Sequence, residues 1–468
     1  MSNSHQNKIN DWLSPMRESI KKSLFLRTLF IGFLILILQI PILMINGVIR
    51  EREQTRDEAF RDVTSSWGGD QAIMGPWITV PYLHHTVEKR TSGDRVENFT
   101  TTETRHATFL PEKLKIDGRS SNDLRKRGIF QVPLYDFSAT ISGEFSKPDF
   151  SSWGISSEDI LWDRAYLSLG ISDSKGITKQ SVLDWGSEKI NFRPGSTAQA
   201  FSSNHGSPGI HALLGSYLEG ELFEFSFPIQ LNGSDSLFFT PYGHETEIDL
   251  KSDWPDPSFV GNWLPRSHEI GADGFSATWN VPYLGRNYPQ KWKTGSNLNE
   301  VIKASLFGVK FLVPIDNYRM GFRSVKYAPL FLMLTFITLW LFEILTGSRI
   351  HPLQYLLLGA GMCVFYLLEL SLAEHIGFVA AYITASVAVV TLISSYSLVI
   401  LKSSVKASIV GLIAIVLYGY LYVLLRSQDY ALLIGSIGLF VVIAAIMYLT
   451  RNINWYDGKR KSVPILTE

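Results

Sequence analysis

Residues Thr28 to Ile45 read TLFIGFLILILQIPILMI, an apolar run interrupted only by Gln39 and Pro41. A helix rises about 1.5 Å per residue, so crossing a hydrocarbon layer of about 30 Å takes about 20 such residues. Two kinds of segment share this look, a cleaved leader and a lasting anchor. A leader's cleavage site needs small residues, yet Met44-Ile45-Asn46-Gly47-Val48-Ile49 follows. The spacing therefore predicts an uncleaved membrane anchor over residues 28–49.

Working outward, a long polar interval separates this run from five others: Tyr327 to Leu345, Leu353 to Leu370, Ile376 to Leu401, Ala407 to Leu425 and Ala431 to Leu449. Lipid offers no water to an exposed backbone amide, so such runs must be helices. Ile376 to Leu401 is long for a single span. Basic residues in short flanks set orientation. Lys8, Arg17, Lys21, Lys22 and Arg27 precede the first span and place the N-terminus in the cytoplasm. Six crossings return the C-terminus to that side. The other loops agree: Arg349, then Lys402 with Lys406, then Arg451 with Lys459, Arg460 and Lys461 fall on inner faces. The outer loops hold only Glu374 with His375, and Arg426 with Asp429.

The expected organisation is a cytoplasmic segment 1–27, the anchor 28–49, a periplasmic β-rich domain 50–326, a five-helix bundle 327–450 and a cytoplasmic tail 451–468. The fold class is thus an α-helical transmembrane bundle of six spans, one plus five, with a large β-sandwich-like domain. That domain is expected across the membrane from the cytoplasm, the periplasm in a Gram-negative cell. Of the 468 residues, 43 are Lys or Arg and 43 are Asp or Glu, so net charge selects no polyanionic partner. The one cysteine, Cys363, sits in an apolar run. An extracytoplasmic domain without cysteine has no disulfide framework and must be held by its core, which suits a bacterial envelope.

Arg50 to Arg61 is polar and helix-permissive, and reads as a continuation of the first helix beyond the lipid. Farther on the apolar period falls to two, the mark of a half-buried strand. Tyr135, Phe137, Ala139 and Ile141 alternate with polar residues, as do Leu167, Leu169 and Ile171. Phe223, Phe225, Phe227, Ile229 and Leu231 form the clearest case, and Val309, Phe311, Val313 and Ile315 a last one. One-sided burial favours antiparallel sheets. Pro228 moves its strand toward an edge, and Asn232-Gly233 reads as a hairpin turn because both residues tolerate positive φ.

Catalytic signatures are missing: there is no G-x-S-x-G, phosphate loop, H-E-x-x-H or C-x-x-C. No catalytic residue, cofactor or metal is expected, and His84-His85 and His268-Glu269 read as solvated surface histidines. The segment Ser252 to Pro265 carries three prolines and the aromatics Trp254, Phe259 and Trp263. It reads as a rigid loop closing the β core, with a docking loop as the competing reading. A charge at mid-bilayer costs on the order of 2.5–3.5 kcal/mol, so ionisable residues within spans usually have a task or a partner. Glu343, Glu369, Glu374 and His375 are the candidates. One reading is a proton or substrate relay. The other has terminal carboxylates reaching interfacial water, protonated, or paired with Arg349 or His375. Gly377, Ala381 and Ala385 make a small-residue stripe suited to helix packing, and Trp455-Tyr456 an interfacial anchor.

Several segments together resemble the CreD family of bacterial inner-membrane proteins. They are Gly75-Pro76 with Val80-Pro81, Phe109-Leu110-Pro111-Glu112, and Ser252 to Pro265 continuing to Gly274-Phe275. In the bundle they are His351-Pro352-Leu353-Gln354-Tyr355-Leu356, Phe365-Tyr366-Leu367-Leu368, Glu374-His375-x-Gly377-Phe378, and Leu449 to Tyr456. The resemblance spans nearly the whole chain and adds His351 to the candidates. It implies an inner-membrane protein tied to envelope integrity and envelope stress, with no catalytic mechanism to carry over. The expected function is non-enzymatic, the periplasmic domain binding an envelope component or partner. The alternative is a transporter or lipid-handling protein using the bundle. Expected partners are membrane lipid and another envelope protein or envelope polymer, with no nucleic acid.

Overall fold

The computed structural model describes residues 24–92, 95–196, 208–312, 317–346, 350–427 and 430–451. The chain forms two compact units, one of Thr55–Pro314 and one of Met1–Gln54 with Ile315–Glu468. Lys8, Arg17, Lys21, Lys22, Val313, Ile315, Arg349, Asp429, Trp455, Tyr456, Lys459, Arg460 and Lys461 lie outside the described residues.

In the helical unit, six helices among the described residues are long and apolar enough to cross a membrane. They are α1 (Leu24–Trp67), α2 (Asn317–Thr346), α3 (Pro352–Ile376), α4 (Phe378–Leu401), α5 (Ser404–Arg426) and α6 (Ala431–Thr450). The one-plus-five arrangement of the sequence reading is present. The anchor does more than hang in lipid. Leu34, Leu38, Ile42, Ile45 and Ile49 are all buried, at spacings of three and four that put them on one helix face. That face meets the bundle: a Cβ on Gly359 would run into Leu38, and the Ile49 side chain lies 3.8 Å from the Cβ position of Gly321. α1 continues unbroken through the charged run Arg50 to Arg61 and ends at Trp67.

One boundary moves. The sequence reading ends a span at Leu370 and leaves Glu374-His375 in a loop; instead α3 runs to Ile376 and α4 starts at Phe378. A single residue, Gly377 at φ 77° and ψ 160°, makes the reversal. No side-chain-bearing residue adopts that φ comfortably. The helices then lie antiparallel, since Phe365 meets Tyr382 at 5.5 Å between ring centroids and Leu392 faces Gly361. Ala381 and Ala385 of the small-residue stripe are fully buried.

The β unit holds two large sheets. Sheet one runs β13 (Pro257–Gly261), β17 (Phe307–Phe311), β11 (Ser236–Phe239), β1 (Gln71–Ser92), β5 (Tyr166–Ile171), β9 (Gly209–Leu213), β8 (Arg193–Pro194). β2 (Arg95–Phe109) pairs with β1 off this path, and β16 (Lys291–Lys293) with β2. Sheet two runs β14 (Ser267–Gly271), β15 (Gly274–Pro282), β12 (Glu245–Ser252), β3 (Lys113–Arg127), β4 (Phe130–Ser146), β10 (Leu222–Ser234), β6 (Val182–Trp185), β7 (Glu188–Asn191). The sheets are mixed rather than purely antiparallel, because β1 pairs with β11, and β12 with β3, in parallel. Such pairs need long crossovers, and the chain supplies them.

Period-two reading located the core. Tyr135, Phe137, Ala139 and Ile141 of β4, and Phe223 to Leu231 of β10, are buried at every second position. Their rings face sheet one: Phe137 meets Phe239 at 6.0 Å, Tyr135 meets Phe311 at 5.0 Å, and the Tyr135 hydroxyl donates to the Ser236 carbonyl at 2.7 Å. Burying each such ring contributes about 1.5–3 kcal/mol.

Two local expectations are corrected. β10 is not an edge strand, because β4 pairs along its whole length and β6 covers its other side at Phe225 and Ser226. Pro228 sits just past β6, where that side opens into a groove of about 600 Å³, so its missing N–H removes no ladder bond to β6. Nor do Asn232-Gly233 turn the chain. They continue β10 opposite Asp136 and Tyr135, and the left-handed residue is Asp235 at φ 57°. Gly233 is glycine because a Cβ there would strike the Tyr135 ring.

Candidate functional site

The buried carboxylates of α2 and α3 are the residues whose surroundings differ most from an ordinary apolar helix interface. Glu374 lies in the last turn of α3. Its Oε1 accepts from Arg52 Nε at 2.8 Å, its Oε2 from Arg52 Nη2 at 3.0 Å, and Oε1 also from the Tyr318 hydroxyl at 2.7 Å. A bidentate guanidinium pair plus a phenol leaves this carboxylate fully met, and it clamps α1 to α3. Of the expected partners, Arg349 lies outside the described residues, and His375 is exposed and not among the groups bonded to this carboxylate.

Glu369, five positions earlier on α3, is 1% exposed. Its Oε2 accepts from the Ser324 hydroxyl of α2 at 2.7 Å, while its Oε1 is buried with no hydrogen-bond partner. Tyr366 of α3, Tyr382 of α4 and Tyr418 of α5 lie within electrostatic reach. The Phe365 ring packs on Tyr382 and Tyr418, and the Tyr382 hydroxyl donates to the Tyr418 carbonyl at 2.6 Å. Tyr366, Tyr382 and Tyr418 thus group around the Phe365 ring, at 5.0, 5.5 and 4.7 Å, and Ser324 is the side chain bonded to the acid.

Glu343 is buried near the end of α2, and its Oε2 accepts from the Tyr355 hydroxyl at 3.4 Å. His351 serves the backbone instead. It is the N-cap of α3: its Nδ1 accepts from the Leu353 amide at 3.2 Å, and its own amide donates to the Gln354 side chain at 2.9 Å. This reciprocal capping box explains why His351 and Gln354 flank Pro352 at a helix start.

In the β unit the three aromatics of Ser252 to Pro265 pack on the core, and the segment is not all loop, because Phe259 lies in strand β13 opposite Val309. Trp254 is buried, donates Nε1 to the Leu312 carbonyl at 3.0 Å and meets Phe311 edge-on at 6.4 Å. Phe259 touches Phe275 at 5.7 Å and Trp279 at 5.6 Å. Trp263 meets Phe307 at 5.7 Å, and its carbonyl accepts from Trp279 Nε1 at 3.2 Å. Among the exposed apolar residues of the β unit are Leu264 at 72% and Leu284 at 91%. Among the described residues no group of three or more His, Cys, Asp and Glu is placed to hold a metal ion. His85 contacts Thr102 at 2.8 Å and Asp159 at 3.0 Å, an exposed pairing.

Sequence reasoning found the acids and missed their partners. Ser324, Tyr318 and Arg52 lie 45, 56 and 322 positions from the acids they serve. Of these only Arg52 carried a signal, as a cation directly beyond the first apolar run.

The comparisons with known proteins agree with this layout. A family model described as Inner membrane protein CreD matches residues 23–456. The Inner membrane protein CreD of Escherichia coli (strain K12) is 31% identical over 442 residues, which cover 93% of this chain and 95% of that protein. With six membrane-length helices flanking two large β-sheets, and a family match over nearly its whole length, the chain belongs to the CreD family of multi-pass inner membrane proteins.

Proposed function

We propose that this protein is a non-enzymatic support of the cell envelope, whose β unit lies in the periplasm and binds an envelope component or a partner protein there. The observation that carries this reading is the insertion of a large, fully cored β unit between the first membrane helix and the other five. Both of its chain ends lead into membrane-length helices, so whatever it binds is held close to the bilayer. Both termini of the chain then face the cytoplasm, as the basic flanks require.

The test is loss and capture. Deletion should raise sensitivity to detergent, dye and antibiotic under envelope stress, and unchanged sensitivity under inducing stress defeats the reading. Capture is best attempted from photo-reactive residues at Leu264 and Leu284, because Trp254 is buried and replacing it would open the core. A second reading, transport or lipid handling by the bundle, draws on one observation, the unpaired acid at Glu369. Replacing Glu343 and Glu369 together by glutamine should then abolish complementation at unchanged protein level; full complementation removes that reading.

A further inference from the structure

Two acids on one helix meet opposite treatment. Glu374 has a bidentate arginine and a phenol; Glu369, buried deeper, has one serine hydroxyl. Ser324 of α2 bonds to Glu369, and the tyrosines of α3, α4 and α5 interact with it electrostatically. α2 offers Ser324, while the adjacent Arg323 turns its Nη2 to the Leu424 carbonyl at 3.2 Å. α3 offers Tyr366, α4 Tyr382 and α5 Tyr418. The same wall holds Cys363, whose thiol lies 3.9 Å from the Leu38 carbonyl of α1. Among the described residues no lysine, arginine or histidine bonds to either oxygen of Glu369.

An ionised carboxylate removed from water and given neither a cation nor enough donors is strongly disfavoured. Its Oε1 is the orphan: an acceptor with nothing to accept. Adding one proton at Oε1 removes the charge and turns that atom into a donor, which needs only a carbonyl or hydroxyl oxygen to satisfy it. Ser324 is itself buried and Glu369 is 1% exposed, so a proton on Oε1 neutralises the acid without bringing water or a counter-ion into the helix interface.

We propose that Glu369, seated against Ser324, is a proton-binding site of the helical unit, with an exchangeable proton on Oε1 and the serine bond on Oε2. The assignment stands on the bundle alone and is independent of the envelope role. It is a site for H⁺ on a carboxyl group, with the tyrosine cluster as its polar surround.

The experiment is infrared spectroscopy of the full chain reconstituted in phospholipid vesicles. The wild type should show a carboxylic-acid C=O band at neutral pH that moves down on transfer to D₂O and is lost in Glu369→Gln. Ser324→Ala should keep that band and move it to higher frequency, because the carbonyl oxygen loses its hydrogen bond. Identical wild-type and Glu369→Gln spectra overturn the proposal, and so does a band that ignores D₂O, which would mark a sealed structural acid. If Glu369→Gln fails to accumulate, the Ser324→Ala shift decides, and an unmoved band counts against the site.

Discussion

Arg286 shows how much one residue can hold in the β unit. It is 6% exposed, and its guanidinium donates to the carbonyls of Pro241 at 3.0 Å and Tyr242 at 2.8 Å, and to the Gln290 side chain. The rings of Tyr283 and Tyr288 lie 5.1 and 4.9 Å from its charge. Burial pulls its pKa down from the ordinary arginine value, yet the group stays charged at any physiological pH. Arg286→Ala strands the Tyr242 carbonyl and leaves Pro241 only the Tyr288 hydroxyl at 3.0 Å, and should lower the stability of the full chain by about 2 kcal/mol, read as an earlier thermal unfolding transition. Asp70 behaves the other way. Partial burial, then the nearby Asp235 carboxylate, raise its pKa. A carboxyl raised in the folded state favours unfolding at pH values above that raised value and costs nothing well below it. Asp70→Asn should therefore raise the unfolding temperature slightly at pH 7, with the gain vanishing in acid. A gain that grows as pH falls contradicts the assignment. Neither effect was legible in the sequence, because nothing within a few positions announces the burial of Arg286 or brings Asp235 to Asp70. The strands were legible for the opposite reason: alternation in Phe223 to Leu231 is a local pattern, and burial followed it.

Elements were readable wherever length and periodicity decide, and misread where a neighbour decides. The six apolar runs became six helices, but the α3–α4 reversal depends on one backbone conformation that no hydropathy pattern encodes. A Cβ on Gly377 would meet nothing, so Gly377→Ala tests backbone conformation alone. It should destabilise the α3–α4 pair by roughly 1–3 kcal/mol, and a variant that unfolds like the wild type would show that φ 77° imposes no constraint. The clamp from α1 to α3 is a second element-scale claim. A double-mutant cycle on Arg52→Ala and Glu374→Ala should give a coupling of about 1 kcal/mol or more, since the pair is bidentate and half-buried. Additive effects would mean that α1 is held by its apolar stripe of Leu34, Leu38, Ile42, Ile45 and Ile49 alone. Turn chemistry failed at Asn232-Gly233 because the Tyr135 ring of the next strand, not φ, required the glycine.

At the scale of the whole molecule, the lipid-soluble runs and the sheet-forming middle could be told apart by composition, and membership in the CreD family follows from the match across residues 23–456. The candidate site was half legible. Acids inside apolar helices stand out in any sequence, whereas their partners come from helices brought together only by folding. Sidedness decides what the β unit can bind, and the chain carries a built-in control for measuring it. Its sole cysteine, Cys363, is buried, so a cysteine added at the 91%-exposed Leu284 becomes the one reactive thiol. In spheroplasts with an intact inner membrane, a membrane-impermeant maleimide should label Leu284→Cys fully, and a cysteine placed among residues 1–23 only after lysis. Labelling of Leu284→Cys that appears only once the membrane is broken would put the β unit in the cytoplasm and contradict the account.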